Sequence, residues 1–129
     1  MAVAVVAHAN WVQRENWGLT MAILREWRGE IRRSERDAYV AYIRGTGIVD
    51  YRKTAGNLGA VIAVNDLDDE RSEVVTLSLW ESWDAIRAFA GDQPELARYY
   101  PEDDRYLLKR PLNVKHYDAF GELLLPPAT

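Results

Sequence analysis

The most apolar segment of the chain predicts a strand that is covered on both of its faces. The stretch VVTLSLW, from Val74 to Trp80, has no charged residue at either its odd or its even positions. A strand with one solvated face would show polar residues at every second position. We therefore expect both faces of this strand to be buried.

The residues after this strand predict a capped helix. Ser82 stands at the N-cap position, and Asp84 lies in the first turn, where the helix dipole favours an acid. Apolar residues then recur at helical spacing until Gly91 ends the helix. Two further short helical turns are predicted, one opened by Pro94 and one by Pro101.

An alternating pattern near the start of the chain predicts the first strand, Ala22–Arg33. Its odd positions form the better core face, from Ile23 to Ile31, and they include one unexpected charge, Arg25. Gly29 on the same face leaves room for the close approach of another group. Arg25 could hold an anion in a pocket, or it could pair with an acid of the first helix or of a second subunit.

The segment after the first strand predicts a helix with Ser34 as its N-cap. Tyr39 and Ile43 form an i,i+4 pair that marks its buried side. Two glycines end this helix, and residues 48–57 have the composition of a turn-rich connection. Strand two is predicted at Leu58–Asn65, again apolar on both faces.

The order of elements predicts an α+β fold of the ferredoxin-like, split β-α-β-β-α-β type. A polar hairpin loop, Asp66–Ser72, joins strands two and three, and the last strand is Asn113–Phe120. This order gives a four-stranded antiparallel sheet with both helices on one face. Strands two and three lack polar alternation, so we expect a second copy to cover the other face and form a homodimer.

The two ends of the chain differ from this domain, which we place at residues 21–122. Residues 1–20 show no helical or strand period and are interpreted as an N-terminal extension, and residues 123–129 as a tail. The alternative for residues 1–20 is an arm or lid that uses Trp11 and Trp17, since two indoles are costly to leave in water.

Composition excludes several classes of function. A net charge of −4 argues against a nucleic-acid partner, because no basic excess exists to displace counterions. The absence of cysteine removes disulfides and thiolate chemistry and fits a cytoplasmic location. No apolar run approaches the roughly 20 residues of a membrane span, so no membrane partner is expected. With two histidines and no cysteine, neither a metal nor another cofactor is expected. The acids Glu102, Asp103 and Asp104 are interpreted as solvated residues at a helix start.

Three runs of the sequence resemble the antibiotic biosynthesis monooxygenase (ABM) family of dimeric α/β barrels. They are MAILREWRGEIRRSERDAYVAYI, LSLWESWDAIRAFAGDQPELARYYPEDDRYLL and VKHYDAF, and together they extend from Met21 to about Phe120. The resemblance implies a pocket in each subunit between the sheet and the helices. In characterised members it implies oxygenation of polycyclic phenols or hydroquinones without metal or flavin.

The expected topology also brings candidate site residues together. With strand one central and parallel to strand three, Trp80 and His116 are both expected beside Gly29, near the end of strand one. His116 is then the candidate base that deprotonates a phenol, and Trp80 the ring that stacks on it. Arg25 or a tyrosine would hold the resulting anion. Other aromatic residues expected in the pocket wall are Trp27, Trp83, Phe89, Tyr99 and Tyr100.

Each candidate also has a structural interpretation. A histidine on a strand is commonly a partnered core residue, and Trp83 lies on the stripe that its helix must bury. Two functions therefore remain open. One is a cofactor-independent monooxygenase acting on a small phenolic or hydroquinone substrate. The other is a dimeric small-molecule binding protein without turnover, which the lack of a tight acid–base pair favours.

Overall fold

The elements of the fold follow the predicted order, with α2 and β4 as additions. The computed structural model describes residues 22–120, so the predicted extension and tail lie outside the described residues. The strands are β1 (Ala22–Arg32), β2 (Asn57–Asp66), β3 (Arg71–Trp80), β4 (Leu107–Lys109) and β5 (Lys115–Ala119). The helices are α1 (Arg36–Gly45), α2 (Gly47–Lys53), α3 (Trp83–Ala90) and α4 (Asp103–Tyr106), and a 3₁₀ turn (Arg33–Glu35) precedes α1.

The sheet is antiparallel, with β1 at its centre. β2 and β3 form the predicted hairpin, β3 pairs with β1, and both β4 and β5 pair with the other edge of β1. The prediction that strand one runs parallel to strand three is wrong, because Trp27 of β1 pairs antiparallel with Thr76 of β3. Since β3 lies between β1 and its hairpin partner β2, strand direction alternates across all three.

The core lies on the face of β1 that the sequence predicts. Ile23, Trp27 and Ile31 are buried there, together with the charged Arg25. One cluster packs Trp27 and Ile31 against α1, and a second packs Ile23 and Trp80 against α2 and α3. The alternation of the strand therefore places a guanidinium among apolar side chains.

The start of α1 differs from the prediction. Arg33 donates its backbone N–H to the carbonyl of Glu70 at 2.8 Å, which holds the chain beside the hairpin loop. A 3₁₀ turn follows, and α1 begins at Arg36 with Glu35 at the N-cap position and no side-chain cap. The prediction of Ser34 as N-cap is therefore wrong, whereas Tyr39 is buried with Ile43 as predicted.

A second helix, α2, occupies most of the region predicted as a connection. Its first turn contains Asp50 and its last turn Arg52 and Lys53, an order that favours the helix dipole. Tyr51 is buried against Trp80, with ring centroids 6.0 Å apart. This burial stabilises a helix of seven residues that would be marginal alone.

α3 confirms the prediction at both of its ends. Ser82 Oγ accepts a hydrogen bond from the backbone N–H of Ala85 at 3.1 Å, and Gly91 ends the helix with a φ of 91°. That positive φ is accessible to glycine without the clash that a side chain would cause.

The segment between α3 and β5 is less helical than predicted. No helix follows Pro94, since Ala97 donates its N–H to the carbonyl of Leu112 and Val114 donates to Glu95. The helix predicted after Pro101 is confirmed for one turn only, because the chain turns at Leu107 into β4. Hydrogen bonds to backbone groups far along the chain, and not local helical preference, thus determine the conformation of this segment.

The opposite face of the sheet carries an apolar strip that the buried clusters do not include. Val61 of β2 is 52% exposed and lies opposite Leu77, and Tyr117 of β5 is 42% exposed and lies opposite Leu24. The strip consists of Leu24, Val61, Leu77, Leu79 and Tyr117. In the part of the chain described, no helix is long and apolar enough to cross a membrane.

Candidate functional site

A cavity of about 40 Å³ lies between the core face of the sheet and the helices. β1 and β3 supply one wall, α1 and α2 a second, and the segment from Arg98 to Asp103 a third. The polar and aromatic residues that line the cavity are Arg25, Trp27, Tyr39, Thr46, Tyr51, Thr76, Arg98, Tyr99, Tyr100 and Asp103. The lining therefore combines two arginines with four phenols and one indole.

Arg25 is the most unusual group of the cavity. It is only 2% exposed, and its Nη2 donates to the carbonyl oxygens of Leu96 at 3.1 Å and Pro94 at 3.4 Å. Its Nε has no hydrogen-bond partner, and no carboxylate of residues 22–120 forms an ion pair with it. Burial lowers the pKa of Arg25 from its usual range. A buried charge without a counter-charge is costly, so this position calls for an anion.

Arg98, by contrast, has a counter-charge within the structure. It lies 3.3 Å from the carboxylate of Asp50 and donates to the carbonyl of Phe89 at 3.0 Å. Arg25 and Arg98 approach the same Phe89 ring, at 5.5 and 4.8 Å from its centroid. The ring interacts favourably with both cations, but it supplies no negative charge to balance the second one.

The phenols of the lining are hydrogen-bond donors rather than bases. Burial raises the pKa of Tyr39, Tyr99 and Tyr100 above that of a free phenol. Tyr39 donates to Asp103 Oδ1 at 2.8 Å, and the backbone N–H of Tyr100 donates to Oδ2 at 2.6 Å. Asp103 is therefore buried and engaged through both oxygens, which corrects its interpretation as a solvated acid.

Gly29 serves a different purpose from the one predicted. A Cβ at this position would lie 2.6 Å from Cη2 of Trp27 and 3.1 Å from a methyl of Leu107. The space beside the glycine is thus filled by an indole of the same strand. This placement lets Trp27 Nε1 donate to the hydroxyl of Tyr99 at 3.2 Å across the cavity wall.

Trp80 and His116 do not meet beside Gly29, and that expectation is wrong. The antiparallel register places Trp80 opposite Ile23, at the start of β1, and His116 opposite Arg25. Trp80 is fully buried, and its Nε1 donates to Ser78 Oγ at 2.8 Å. It packs in the second cluster and does not line the cavity.

His116 lies on the core face of β5, as its alternation predicts, but it also does not line the cavity. Its ring packs against Trp83, with centroids 4.8 Å apart, and Trp83 is 39% exposed. Burial first, and the charge of Arg25 second, lower the pKa of His116, so the neutral imidazole is favoured. Its Nε2 is buried without a hydrogen-bond partner.

The structure thus divides the predicted site residues into two groups. Arg25, Trp27, Tyr99 and Tyr100 line the cavity together, and the other four lie outside its lining: Trp80, Trp83, Phe89 and His116. Thr76 and Tyr51 were missed. Thr76 could have been noticed as a hydroxyl on the core face of an apolar strand. Tyr51 could not, because the segment that contains it was predicted to be a connection and not a helix with a buried side. Among residues 22–120, no group of three or more histidines and acids could hold a metal ion.

Comparison with known proteins adds a structural likeness. No protein-family model matches the chain, and no curated protein matches it. The chain is similar to the crystal structure of a putative antibiotic biosynthesis monooxygenase from Bacillus cereus, with 20% identity and a TM-score of 0.49. The match covers 83% of this chain and 98% of that one. At this identity the likeness concerns the fold alone.

Proposed function

We propose that the protein binds a small ring-hydroxylated aromatic molecule as its anion and oxidises it with molecular oxygen. The observation that carries the proposal is Arg25, a buried cation that forms no ion pair within residues 22–120 and lies in a cavity lined by phenols and an indole. The aromatic lining suits a ring, and the guanidinium suits a negative oxygen. The resemblance in sequence to the ABM family supplies the reaction type.

The chemistry balances without an external reductant. The charge of Arg25 would lower the pKa of a bound phenol and stabilise its anion. The anion reacts with oxygen at a ring carbon: a C–O bond forms, the O–O bond breaks, and the carbon loses its hydrogen. One oxygen atom stays as the second carbonyl of a quinone, and the other leaves as water. The substrate supplies all four electrons.

His116 is the base in this proposal. Support comes from its lowered pKa and its place beside Arg25, since general-base catalysis requires the neutral imidazole. Because it does not line the cavity, the proton of the substrate would have to reach it through water or after a shift of Arg25. The tyrosines are poorer bases, because the same burial that raises their pKa keeps them protonated.

A binding protein without turnover is the second candidate. It is favoured by the state of Asp103, the only carboxylate among the described lining residues, whose two oxygens already accept hydrogen bonds. A cavity with no free base can hold an anion without activating it.

Oxygen uptake separates the two candidates. The protein is mixed with phenol, hydroquinone and 1-naphthol, uptake is followed with an oxygen electrode, and quinone is measured by chromatography. Uptake that exceeds the rate without protein and yields quinone from phenol or 1-naphthol, where a ring carbon must gain oxygen, supports the enzyme. Binding in calorimetry without uptake supports the second candidate, and neither binding nor uptake would contradict both.

We also propose that two copies associate through the apolar strip on the open face of the sheet. The strip joins Val61, Leu77, Leu79, Leu24 and Tyr117 in neighbouring positions of four strands. A contiguous apolar surface of this kind is commonly an interface, and a two-fold axis would bury it on both copies.

A further inference from the structure

Arg25 gives the cavity a permanent positive charge, so the ligand should carry a negative charge. An arginine stays protonated throughout the range in which proteins are folded, even when burial lowers its pKa. A free phenol has a pKa of about 10 and is neutral at pH 7, whereas a carboxylic acid is ionised there. A phenol alone therefore reaches the cavity uncharged and leaves Arg25 without a counter-charge until it has lost its proton.

We propose that the ligand of this cavity is a small hydroxyarene carboxylic acid, bound through its carboxylate to Arg25 and to the hydroxyl pair of Tyr51 and Thr76. The inference deepens the proposed function by naming the substrate class. In this class of ligand the carboxylate, and not the ring oxygen, is the group that contacts Arg25. The oxidation of the ring rests on the proposed function, whereas the binding of the carboxylate does not.

The hydroxyl pair provides a second donor. Tyr51 Oη and Thr76 Oγ1 lie 3.2 Å apart, both residues are buried, and both line the cavity. Two hydroxyls carry two hydrogens, and the bond between them uses one. The remaining hydrogen has no acceptor among residues 22–120. It is therefore available to a ligand oxygen inside the cavity.

The position of Tyr51 ties the two donors together. Its ring and the Arg25 guanidinium pack against the same ring of Phe89, at 4.7 and 5.5 Å from its centroid, so Tyr51 lies near the guanidinium. A carboxylate placed there would accept from a cation and from a neutral hydroxyl. Hydrogen bonds to charged groups contribute about 1.5–3 kcal/mol each, more than bonds between neutral groups.

The size of the cavity restricts the ligand further. Its volume of about 40 Å³ exceeds the space needed by a water molecule but is far below the roughly 150 Å³ of an engineered cavity that holds benzene. The enclosed space thus suits a carboxylate group better than a fused ring system. The aromatic ring would extend past Arg98, whose side chain is 42% exposed.

Calorimetry with two matched probes tests the inference. Benzoate and benzamide have nearly the same shape and differ in charge, and neither has a ring hydroxyl to oxidise. The titrations are made under nitrogen at pH 7. We expect benzoate to bind at least about tenfold more tightly than benzamide, from one charge-assisted hydrogen bond. Equal affinity for the two probes, or no binding of benzoate, would overturn the inference.

Two threonine variants, one inside and one outside the cavity, provide a control against general damage. Thr76→Val removes one hydroxyl of the pair and should weaken benzoate binding about tenfold and benzamide binding less, because a hydrogen bond to a neutral amide contributes less than one to a carboxylate. Thr54→Val makes the same chemical change outside the cavity lining, at a residue whose hydroxyl already donates to the carbonyl of Asp50 at 2.8 Å. It should leave benzoate binding unchanged. Equal losses in both variants would contradict the assignment of the donor.

Arg25→Gln should abolish the preference for benzoate over benzamide. If circular dichroism shows that this variant does not fold, the comparison of Thr76→Val with Thr54→Val decides. The outcome is distinguishable from that of the oxygen-uptake experiment. A protein that oxidises 1-naphthol to quinone but does not bind benzoate retains the proposed function and loses the carboxylate. A protein that binds benzoate but oxidises neither phenol nor 1-naphthol retains the carboxylate alone.

Discussion

Arg25 and His116 stand directly opposite each other on β1 and β5, and each has a buried nitrogen without a hydrogen-bond partner. The side chains of such cross-strand neighbours lie within contact range on one face of the sheet. The guanidinium disfavours a second positive charge, which contributes to the lowered pKa of His116. The pair therefore links the cation of the cavity to the one imidazole that the described part of the chain contains.

The first prediction concerns the titration of His116. Its pKa, followed by the NMR shift of the ring protons, should lie below the ordinary value of 6.5. Arg25→Gln should raise it only partly, because burial is the larger cause and remains. A pKa at or above the ordinary value in the wild type would contradict the burial of the ring.

The same shift predicts a pH dependence of stability. Between the lowered pKa of the folded state and 6.5, the unfolded chain binds more protons than the folded one. The contribution of His116 to the free energy of unfolding is therefore complete above this window and decreases as the pH falls through it. The free energy of unfolding of the wild type and of His116→Gln is measured by denaturant titration at a series of pH values. Plotted against pH, the two free energies should have different slopes within this window and run parallel above it.

The second prediction tests His116 as a base. On any substrate found, His116→Gln should lower kcat by about 10²–10⁴-fold, the usual contribution of general-base catalysis. Binding of benzoate should change little, because His116 does not line the cavity. Turnover that survives the substitution would leave His116 with a structural role against Trp83.

The third prediction concerns the homodimer. Light scattering at micromolar concentration should give twice the mass of the chain. Val61→Glu places a charge within the apolar strip, at its most exposed residue, and should yield monomers. Leu67→Glu is the matched control, since Leu67 is 40% exposed in the hairpin loop outside the strip, and it should remain dimeric. A monomeric wild type would contradict the proposed interface.

The fourth prediction concerns Gly29. Gly29→Ala should destabilise the protein by about 1–3 kcal/mol, the usual cost of overpacking, because its Cβ would lie 2.6 Å from the ring of Trp27. Gly45→Ala is the control, since a Cβ there meets nothing within 4 Å. Thermal unfolding followed by circular dichroism measures the stability of both variants. An equal change in the two would show that the Trp27 ring can move to make room for the added methyl group.

The fifth prediction concerns residues 1–20. Deleting residues 2–20 should change Tm by less than about 4 °C, the shift that about 1 kcal/mol produces in a domain of this size. A larger drop would favour the alternative in which Trp11 and Trp17 pack as an arm.

Local patterns of the sequence predicted the parts of the fold that depend on neighbouring residues. The alternation of β1 placed Arg25 on the core face, and Ser82 was recognised as a cap, because both depend only on nearby backbone geometry. Arg25 was the most informative residue of the site for the same reason. A charge at a core position is visible in the sequence before any contact is known.

Contacts between residues that are far apart in the sequence could not be predicted from such local patterns. The register that places Trp80 opposite Ile23 depends on how the hairpin meets β1, which no local period encodes. The run PELARYY has a helical composition, yet its backbone bonds to residues 112–114 and becomes a wall of the cavity. Tyr51 and Asp103 enter the site only through this tertiary arrangement.

The construction of the cavity has a consequence for protein engineering. The sheet supplies the buried charge of Arg25 and the hydroxyl of Thr76, whereas the irregular segment from Arg98 to Tyr100 supplies part of a third wall. Such segments tolerate insertion and replacement better than strands do. Libraries of variants with substitutions only in that segment should therefore accept a wider range of aromatic rings. Their preference for an acid should not change, because it depends on residues of the sheet.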